Sequence, residues 1–320
     1  MAKSLHPERE TQNRIVKFFE KELGYKYLGN LGDEENFNIR WGDWKKFLSD
    51  SGYSAPFVES LQNEFFKTLS DFSKSPYHTN KEVYRILKYG LKLAEFPGEA
   101  PKTVYFINWE EPEKNNFYIA EEVTVNGNVE KRPDIVLYIN GIAIAVMELK
   151  KSTVSVADGI RQNVTNQREQ FIQRFFSTIQ ICVAANDSEG LRYGTSGTTE
   201  KYYLEWKEDN FTDQLQDKDD LDKILEGKCS KQLNLLEQQC YRIFQKERLL
   251  DIIHNFIIFD SGIKKICRYN QFYAIKRCEK RLSRNQGGIV WHTQGSGKSL
   301  TMVWLAKWIL ENIKDSRVLI

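Results

Sequence analysis

The stretch RPDIVLYINGIAIAVMELKKS, residues 132–152, constrains this chain more than any other. Two apolar runs meet at Asn140-Gly141, and Asn-Gly between hydrophobic runs is the strongest short-range signal for a β-hairpin. The second run is apolar at alternate and intervening positions alike, which places it at the centre of a sheet with both faces covered. Glu148 and Lys150 end that strand, and Asp134 begins the first one. By a strict period of two, Ile142, Ile144, Val146, Glu148 and Lys150 share one face, and Ala143, Ala145, Met147 and Leu149 share the other. A carboxylate and an ammonium at the end of a buried strand are costly unless paired or metal-bound.

Phosphodiester hydrolysis is the chemistry that fits Asp134, Glu148 and Lys150. The two carboxylates supply oxygen ligands suited to Mg²⁺, and the Leu149 carbonyl is a candidate third. Lys150 would steady the attacking water and the charge that develops on the phosphate. The bland alternative is a salt bridge at a sheet end. Parity raises a difficulty. In a regular two-residue hairpin Ile139 faces Ile142 and Asp134 faces Met147, so Asp134 falls on the opposite side from Glu148. A shared site therefore requires a three-residue loop or a bulge near Pro133.

A second chemical signature lies near the other end of the chain. TQGSGKS, residues 293–299, stands between the strand-like GGIVWH and an apolar helix reaching about Glu311, the setting of a phosphate loop. Gly295 and Gly297 let backbone N–H groups turn toward phosphates, with Thr293 and Ser296 in the same loop. Lys298 would contact the β- and γ-phosphates of ATP, and Ser299 its Mg²⁺. His292 occupies the first position of the pattern, where glycine is usual. About twenty residues upstream, ICRYNQFYAIKRC places Gln271; this resembles the Q motif of superfamily 2 helicases, which implies that its amide, a donor and an acceptor side by side, reads adenine. Tyr269 or Phe272 is expected to stack nearby.

Between these signatures the periodicity predicts helices over Glu8–Leu23, with Gly24 as its cap, over Tyr53–Phe72 and over Lys81–Leu93. Strand-like runs follow: TVYFINW, NFYIAEEVTV, DIVLYI, IAIAVMEL and IQICVAA. Residues 205–228, with the run DKDDLDK, read as a charged connection. Gln232–Phe259 reads as helix turning apolar at its end, and SRVLI as the opening of another strand. Five cysteines (Cys182, Cys229, Cys240, Cys267, Cys278) without a CxxC pair read as reduced thiols of a cytoplasmic protein. The histidines, His6, His78, His254 and His292, are too scattered for a metal cage. No apolar run is long enough to span a membrane. A net charge of +2, from 46 basic and 44 acidic residues, neither demands nor forbids a nucleic-acid partner.

PD followed by ELK resembles the PD-(D/E)xK nuclease superfamily, and the whole string 132–152 resembles the nuclease domain of type I restriction subunits. RYNQ followed by GGIVWHTQGSGKSLTM is similar to the Q motif and Walker A loop of superfamily 2 helicase-like motors. The resemblance implies a Glu from an early helix in the metal site. Glu10 is the choice for it, against the plainer reading of a first-turn carboxylate favoured by the helix dipole. It also implies a QxxxY helix after the ExK strand. Gln167 takes that place, with Phe171 where Tyr is expected, and Gln162 followed by Asn166 is the alternative.

The expected fold is α/β: a mixed-sheet nuclease domain over 1–205, a linking segment over 206–258, and from 259 to 320 the beginning of a RecA-like P-loop domain. By resemblance the intact subunit is the ATP-dependent, Mg²⁺-dependent endonuclease and DNA translocase of a type I restriction-modification system. Its expected partners are double-stranded DNA and the methyltransferase and specificity subunits, and it cuts at a distance from the recognised target. Without a Walker B carboxylate, the present residues are expected not to hydrolyse ATP. Two rivals are a stand-alone ATP-binding module and a non-catalytic assembly piece.

Overall fold

The computed structural model describes residues 8–33, 36–71, 73–207 and 233–319. Helix α1 (Glu8–Lys21) buries Ile15, Val16, Phe18 and Phe19 and ends ahead of Gly24, whose φ of 67° suits a glycine stop. Strand β1 (Lys26–Asn30) follows, then α2 (Trp41–Asp50), α3 (Ala55–Leu69) and α4 (Pro76–Tyr89). A small hairpin, β2 (Leu91–Leu93) with β3 (Lys102–Val104), precedes β4 (Phe117–Glu121), β5 (Ile135–Ile139) and β6 (Ile142–Leu149). Helix α5 (Val156–Asn166), capped by the Ser155 hydroxyl, leads to β7 (Ile181–Asn186) and β8 (Gly190–Gly194).

These strands build one six-stranded mixed sheet in the order β1-β4-β5-β6-β7-β8, with β1–β4 and β6–β7 parallel and the other pairs antiparallel. All eight residues of β6 are buried, as a central strand should be. One face carries Ile135, Leu137, Ile139, Met147 and Leu149 against the early helices, and the other carries Val136, Tyr138 and Val146 against Ile172, Phe175, Phe176 and Ile179. The Asn140-Gly141 turn has φ of 51° and 83°, the left-handed pair that a two-residue hairpin needs. Asn140 is fully buried, donating to the Phe106 carbonyl at 2.9 Å and accepting from the Asn116 N–H at 2.7 Å.

Beyond β8 come α6 (Leu235–Phe244), α7 (Lys246–Asn255), the hairpin of β9 (Ile257–Asp260) and β10 (Ile263–Ile266), then α8 (Tyr269–Leu282) and α9 (Lys298–Asn312). Helix α6 starts on a capping box of Asn234 and Glu237. It packs Phe244 on Phe19, and the Tyr25 hydroxyl donates to the Phe244 carbonyl at 2.9 Å. One apolar cluster therefore runs from Ile15 through Phe244 and Phe256 to Trp304.

Several sequence expectations are corrected. Helix α2 was not expected, although Trp41, Trp44, Phe47 and Leu48 give it an apolar stripe. Helix α4 starts at Pro76 and stops at Gly90 (φ 77°), so Leu91–Leu93 is strand. TVYFINW contributes only the end of β3, and β1, β8, β9 and β10 are additional strands, β9 falling within the stretch expected as helix to Phe259. GGIVWH is not a strand: no described strand pairs with it, and Ile289 and Trp291 are 91% and 89% exposed. SRVLI likewise forms no strand over 316–319. The charged run, Cys229, His6, Phe72 and Gln232 lie outside the described residues, while Cys182, Cys240 and Cys267 are buried. Among the described residues no helix is long and apolar enough to cross a membrane.

Candidate active site

The parity difficulty is resolved inside β6. Ile139 pairs with Ile142 and Tyr138 with Ala143, but Leu137 pairs with Ala145, leaving Ile144 as an extra residue. Beyond this bulge Val136 faces Val146 and Ile135 faces Met147, so the next pair in register is Asp134 with Glu148. The two-residue turn is kept, and the correction sits near the turn rather than at Pro133. Ile144 and Ala145 both join the helix-side core, so the strict alternation expected along β6 holds only on either side of the bulge.

Asp134, half-buried, accepts the Leu149 N–H at 2.6 Å. Glu148 is fully buried and held from α5: Gln162 donates to it at 2.6 Å and Asn166 at 3.2 Å. These two residues are one helical turn apart, so they point the same way. Lys150 donates to the Leu149 carbonyl at 2.8 Å and lies 3.9 Å from a Glu8 oxygen. Burial pushes the Asp134 carboxyl up to about 6 despite the Leu149 N–H and Lys150. Burial, then the neighbouring Asp134, pushes Glu148 well above the usual carboxylate range. Two carboxylates so placed cannot both be charged at low cost without a cation between them.

Two sequence choices are revised. Glu10 is exposed and Glu8 is the acid that reaches Lys150. Two residues along a helix is about 200° of rotation, so only one of them can share the face of Gln12, Ile15 and Phe19. Gln167 follows the last residue of α5. Its amide donates to the Asn163 carbonyl at 3.0 Å and accepts the Gly197 N–H at 2.7 Å, so Gln162 takes its place at Glu148. Gln12, not singled out by sequence, donates to the Asp134 carbonyl at 3.1 Å. Counting back from Phe19 by four to Ile15 and then by three to Gln12 would have indicated this face.

The donor set fits a hard divalent cation: two carboxylates and the Leu149 carbonyl, all oxygen, at one strand end. Among the described residues no three His, Cys, Asp or Glu side chains form a ready cation cage, so the carbonyl is needed to complete the set.

The loop over 293–299 is built differently. Gly295 and Gly297 have φ of 79° and 87°, and Gly297 caps α9. Thr293, Lys298 and Ser299 are exposed, and the Ser296 hydroxyl donates to the Thr293 carbonyl at 2.7 Å. Lys298 folds back on the loop, donating to the His292 and Thr293 carbonyls at 3.2 and 3.1 Å. Gln271 is buried, accepting the Arg268 N–H at 2.8 Å and donating to the Gly297 carbonyl at 2.9 Å. In this conformation its amide braces the loop and does not face a base. Phe272 lies in the core against Phe256 and Trp206, so it does not stack in the loop either.

The family described as type I restriction enzyme R protein N terminus matches residues 6–201, and the SWI2/SNF2 ATPase family matches residues 270–320. The chain is 28% identical to the putative type I restriction enzyme MjaIXP endonuclease subunit of Methanocaldococcus jannaschii, over 97% of this chain and 32% of that protein. It is 27% identical to the type I restriction enzyme HindI endonuclease subunit of Haemophilus influenzae, over 72% of this chain and 22% of that protein. The type I restriction enzyme SauMSSORF170P endonuclease subunit of Staphylococcus aureus is 25% identical, over 69% and 22%. The chain thus spans less than a third of the length of these curated relatives. With a family match over more than half its length, from the first helix past β8 and including the Asp134–Glu148 hairpin, the chain belongs to the type I restriction enzyme R protein N-terminal family.

Proposed function

We propose that this chain is the nuclease-bearing part of a restriction subunit, cutting double-stranded DNA with Mg²⁺ at Asp134, Glu148 and Lys150. The observation that carries the reading is the bulge at Ile144, which sets Asp134 opposite Glu148 where a regular hairpin would part them. Asp134, Glu148 and the Leu149 carbonyl would hold the cation, which when bound polarises the scissile phosphate and acidifies a water. The chain's own groups do the rest. Gln162 and Asn166 fix the Glu148 carboxylate, and the Leu149 N–H fixes Asp134. Lys150, tethered within reach of the same strand end, offers its ammonium to the charge developing on phosphate oxygens. The test is cleavage of plasmid DNA by this chain with Mg²⁺. Activity should disappear with chelator and fall at least about a thousandfold in Glu148→Ala, roughly 4 kcal/mol in barrier. Equal cleavage by the variant would overturn the reading.

In the longer subunit, cytoplasmic and joined to methyltransferase and specificity subunits, the 293–299 loop would bind ATP and Mg²⁺ for DNA translocation. The endonuclease-subunit names of the relatives and the SWI2/SNF2 match support this. The present residues should not hydrolyse ATP. Lys298 is held by its own loop, and among the described residues no carboxylate pairs with it. Phosphoryl transfer depends on such positioning groups. DNA-stimulated phosphate release that Lys298→Ala abolishes would refute this.

A further inference from the structure

At the end of β4 the chain carries two consecutive carboxylates, Glu121 and Glu122. Glu122 has a φ of 52°, a left-handed conformation that costs a side-chain-bearing residue about 1–2 kcal/mol. It interrupts the strand's alternation, so both neighbouring carboxylates reach the same partner. That partner is Arg9, on the first turn of α1. Its guanidinium donates to Glu121 at 2.9 Å and to Glu122 at 3.3 Å.

The arrangement is fixed from several sides. Tyr27 donates its hydroxyl to Glu121 at 2.7 Å, and Gln12 donates to Glu122 at 3.1 Å. The Glu122 N–H donates to the Asp134 carbonyl at 2.9 Å, the same oxygen that Gln12 reaches. The groups that orient the guanidinium therefore also hold the backbone of Asp134. Yet the Arg9 side chain remains 48% exposed, while that of Glu121 is 6% exposed. Arg9 thus covers a buried carboxylate, costly to leave unpaired, with one side of its guanidinium, while the other side stays open to solvent. The device supplies a forked cation of set direction beside the backbone of Asp134.

Resting on the nuclease reading above, we propose that Arg9 is a substrate-contacting residue, its guanidinium binding a phosphate of the DNA strand beside the one that is cut. A polyanion approaching Glu8, Glu121, Glu122, Asp134 and Glu148 meets repulsion unless cations cover them. Arg9 covers the Glu121–Glu122 pair and keeps further N–H donors for a phosphate, which its fork matches better than a point charge does.

The test measures binding of a short labelled duplex to this chain in chelator across a range of salt. Wild type is compared with Arg9→Lys, Arg9→Gln and the double variant Arg9→Gln/Glu122→Gln, which restores the local charge balance. Arg9→Gln and the double variant should both lose about 0.9 from the slope of log affinity against log salt, one phosphate contact. Arg9→Lys, which keeps the charge and guards against misfolding in the Gln variants, should hold the slope and bind several-fold more weakly. In Mg²⁺ its KM should rise with kcat within about threefold of wild type. Recovery of wild-type affinity and slope by the double variant, or wild-type KM in Arg9→Lys, would overturn the proposal and leave the nuclease reading standing. Absence of any Glu148-dependent cleavage in wild type would remove both.

Discussion

The strand-end site and the phosphate loop each present a lysine, yet they are held in opposite ways. Glu148 is fully buried at the end of the central strand of a six-stranded sheet, between β5 and β7 and held by α5. The loop at 293–299 rests on α8 through Gln271 and on its preceding residue Arg268, and the stretch entering it is exposed at Ile289 and Trp291. The geometry of the first site is a property of the whole domain. That of the second is local, encoded in two glycines and the start of one helix. Tertiary support should therefore decide how each responds to change.

The largest separation is expected in catalysis. In the longer subunit Lys150→Ala should lower DNA cleavage at least about a hundredfold, by loss of phosphate stabilisation, while ATP hydrolysis stays near wild type. Lys298→Ala should abolish hydrolysis. Parallel cleavage and phosphate-release assays check both, and cleavage surviving without Lys150 would break the contrast. Within the strand-end site, Gln162→Ala should cost about 10–100-fold in cleavage, as supporting residues of a metal site commonly do. Gln167→Ala, whose partners are Asn163 and Gly197, should leave cleavage unchanged.

Two glycines of nearly equal φ sharpen the comparison. A Cβ on Gly141 would come within 2.6 Å of the Arg40 carbonyl oxygen and 2.8 Å of the Trp44 nitrogen, both backbone. On Gly295 it would meet nothing within 4 Å. Both alanines carry the left-handed cost of about 1 kcal/mol, but only Gly141→Ala adds overpacking, for a total of about 2–4 kcal/mol. Urea denaturation of the two variants reads the difference, and equal losses would contradict it.

The smallest effect lies where the regions meet. His254 packs its ring against Trp109 at 4.8 Å, and burial, then Lys88, lowers its pKa to about 4. The folded state keeps it neutral while the unfolded chain takes up a proton near 6.5. Its contribution is therefore complete above that pH and is lost as pH falls toward 4, up to roughly 2 kcal/mol for a partly exposed group. Denaturation midpoints of wild type and His254→Gln should converge or cross over that window, and parallel curves would rule the effect out.

Features legible in the sequence were those fixed by adjacency. Asn140-Gly141 announced its own turn, Glu148 and Lys150 their shared strand end, and Gly295-Ser296-Gly297-Lys298 its loop. What escaped was set by partners distant along the chain. The bulge could have lain anywhere in the hairpin, and its position answers to packing on both sheet faces. That Glu8 and not Glu10 reaches Lys150, and that Gln162 and not Gln167 holds Glu148, depends on helix phase and on where α5 ends, which single motifs do not carry. GGIVWH has the composition of a strand, but a strand requires a neighbour, and none of the described residues supplies one.

The extra residue in β6 also bears on how this hairpin can change length. Asp134 and Glu148 are opposed because β6 holds one residue more than a regular two-residue hairpin can pair. Deleting Ile144 would close the ladder without a bulge and leave Leu137 beside Ala145 and Asp134 beside Glu148, at the cost of one buried side chain and of the carbonyl that accepts the Gln180 N–H at 2.7 Å. Deleting Leu137 would instead drag Asp134 out of step with both β4 and β6. An indel of the same size is thus expected to be tolerated on one strand and ruinous on its neighbour. Cleavage retained by the first deletion and lost in the second would mark Ile144 as the hairpin's spare position, the point where chains of different length can share one catalytic register.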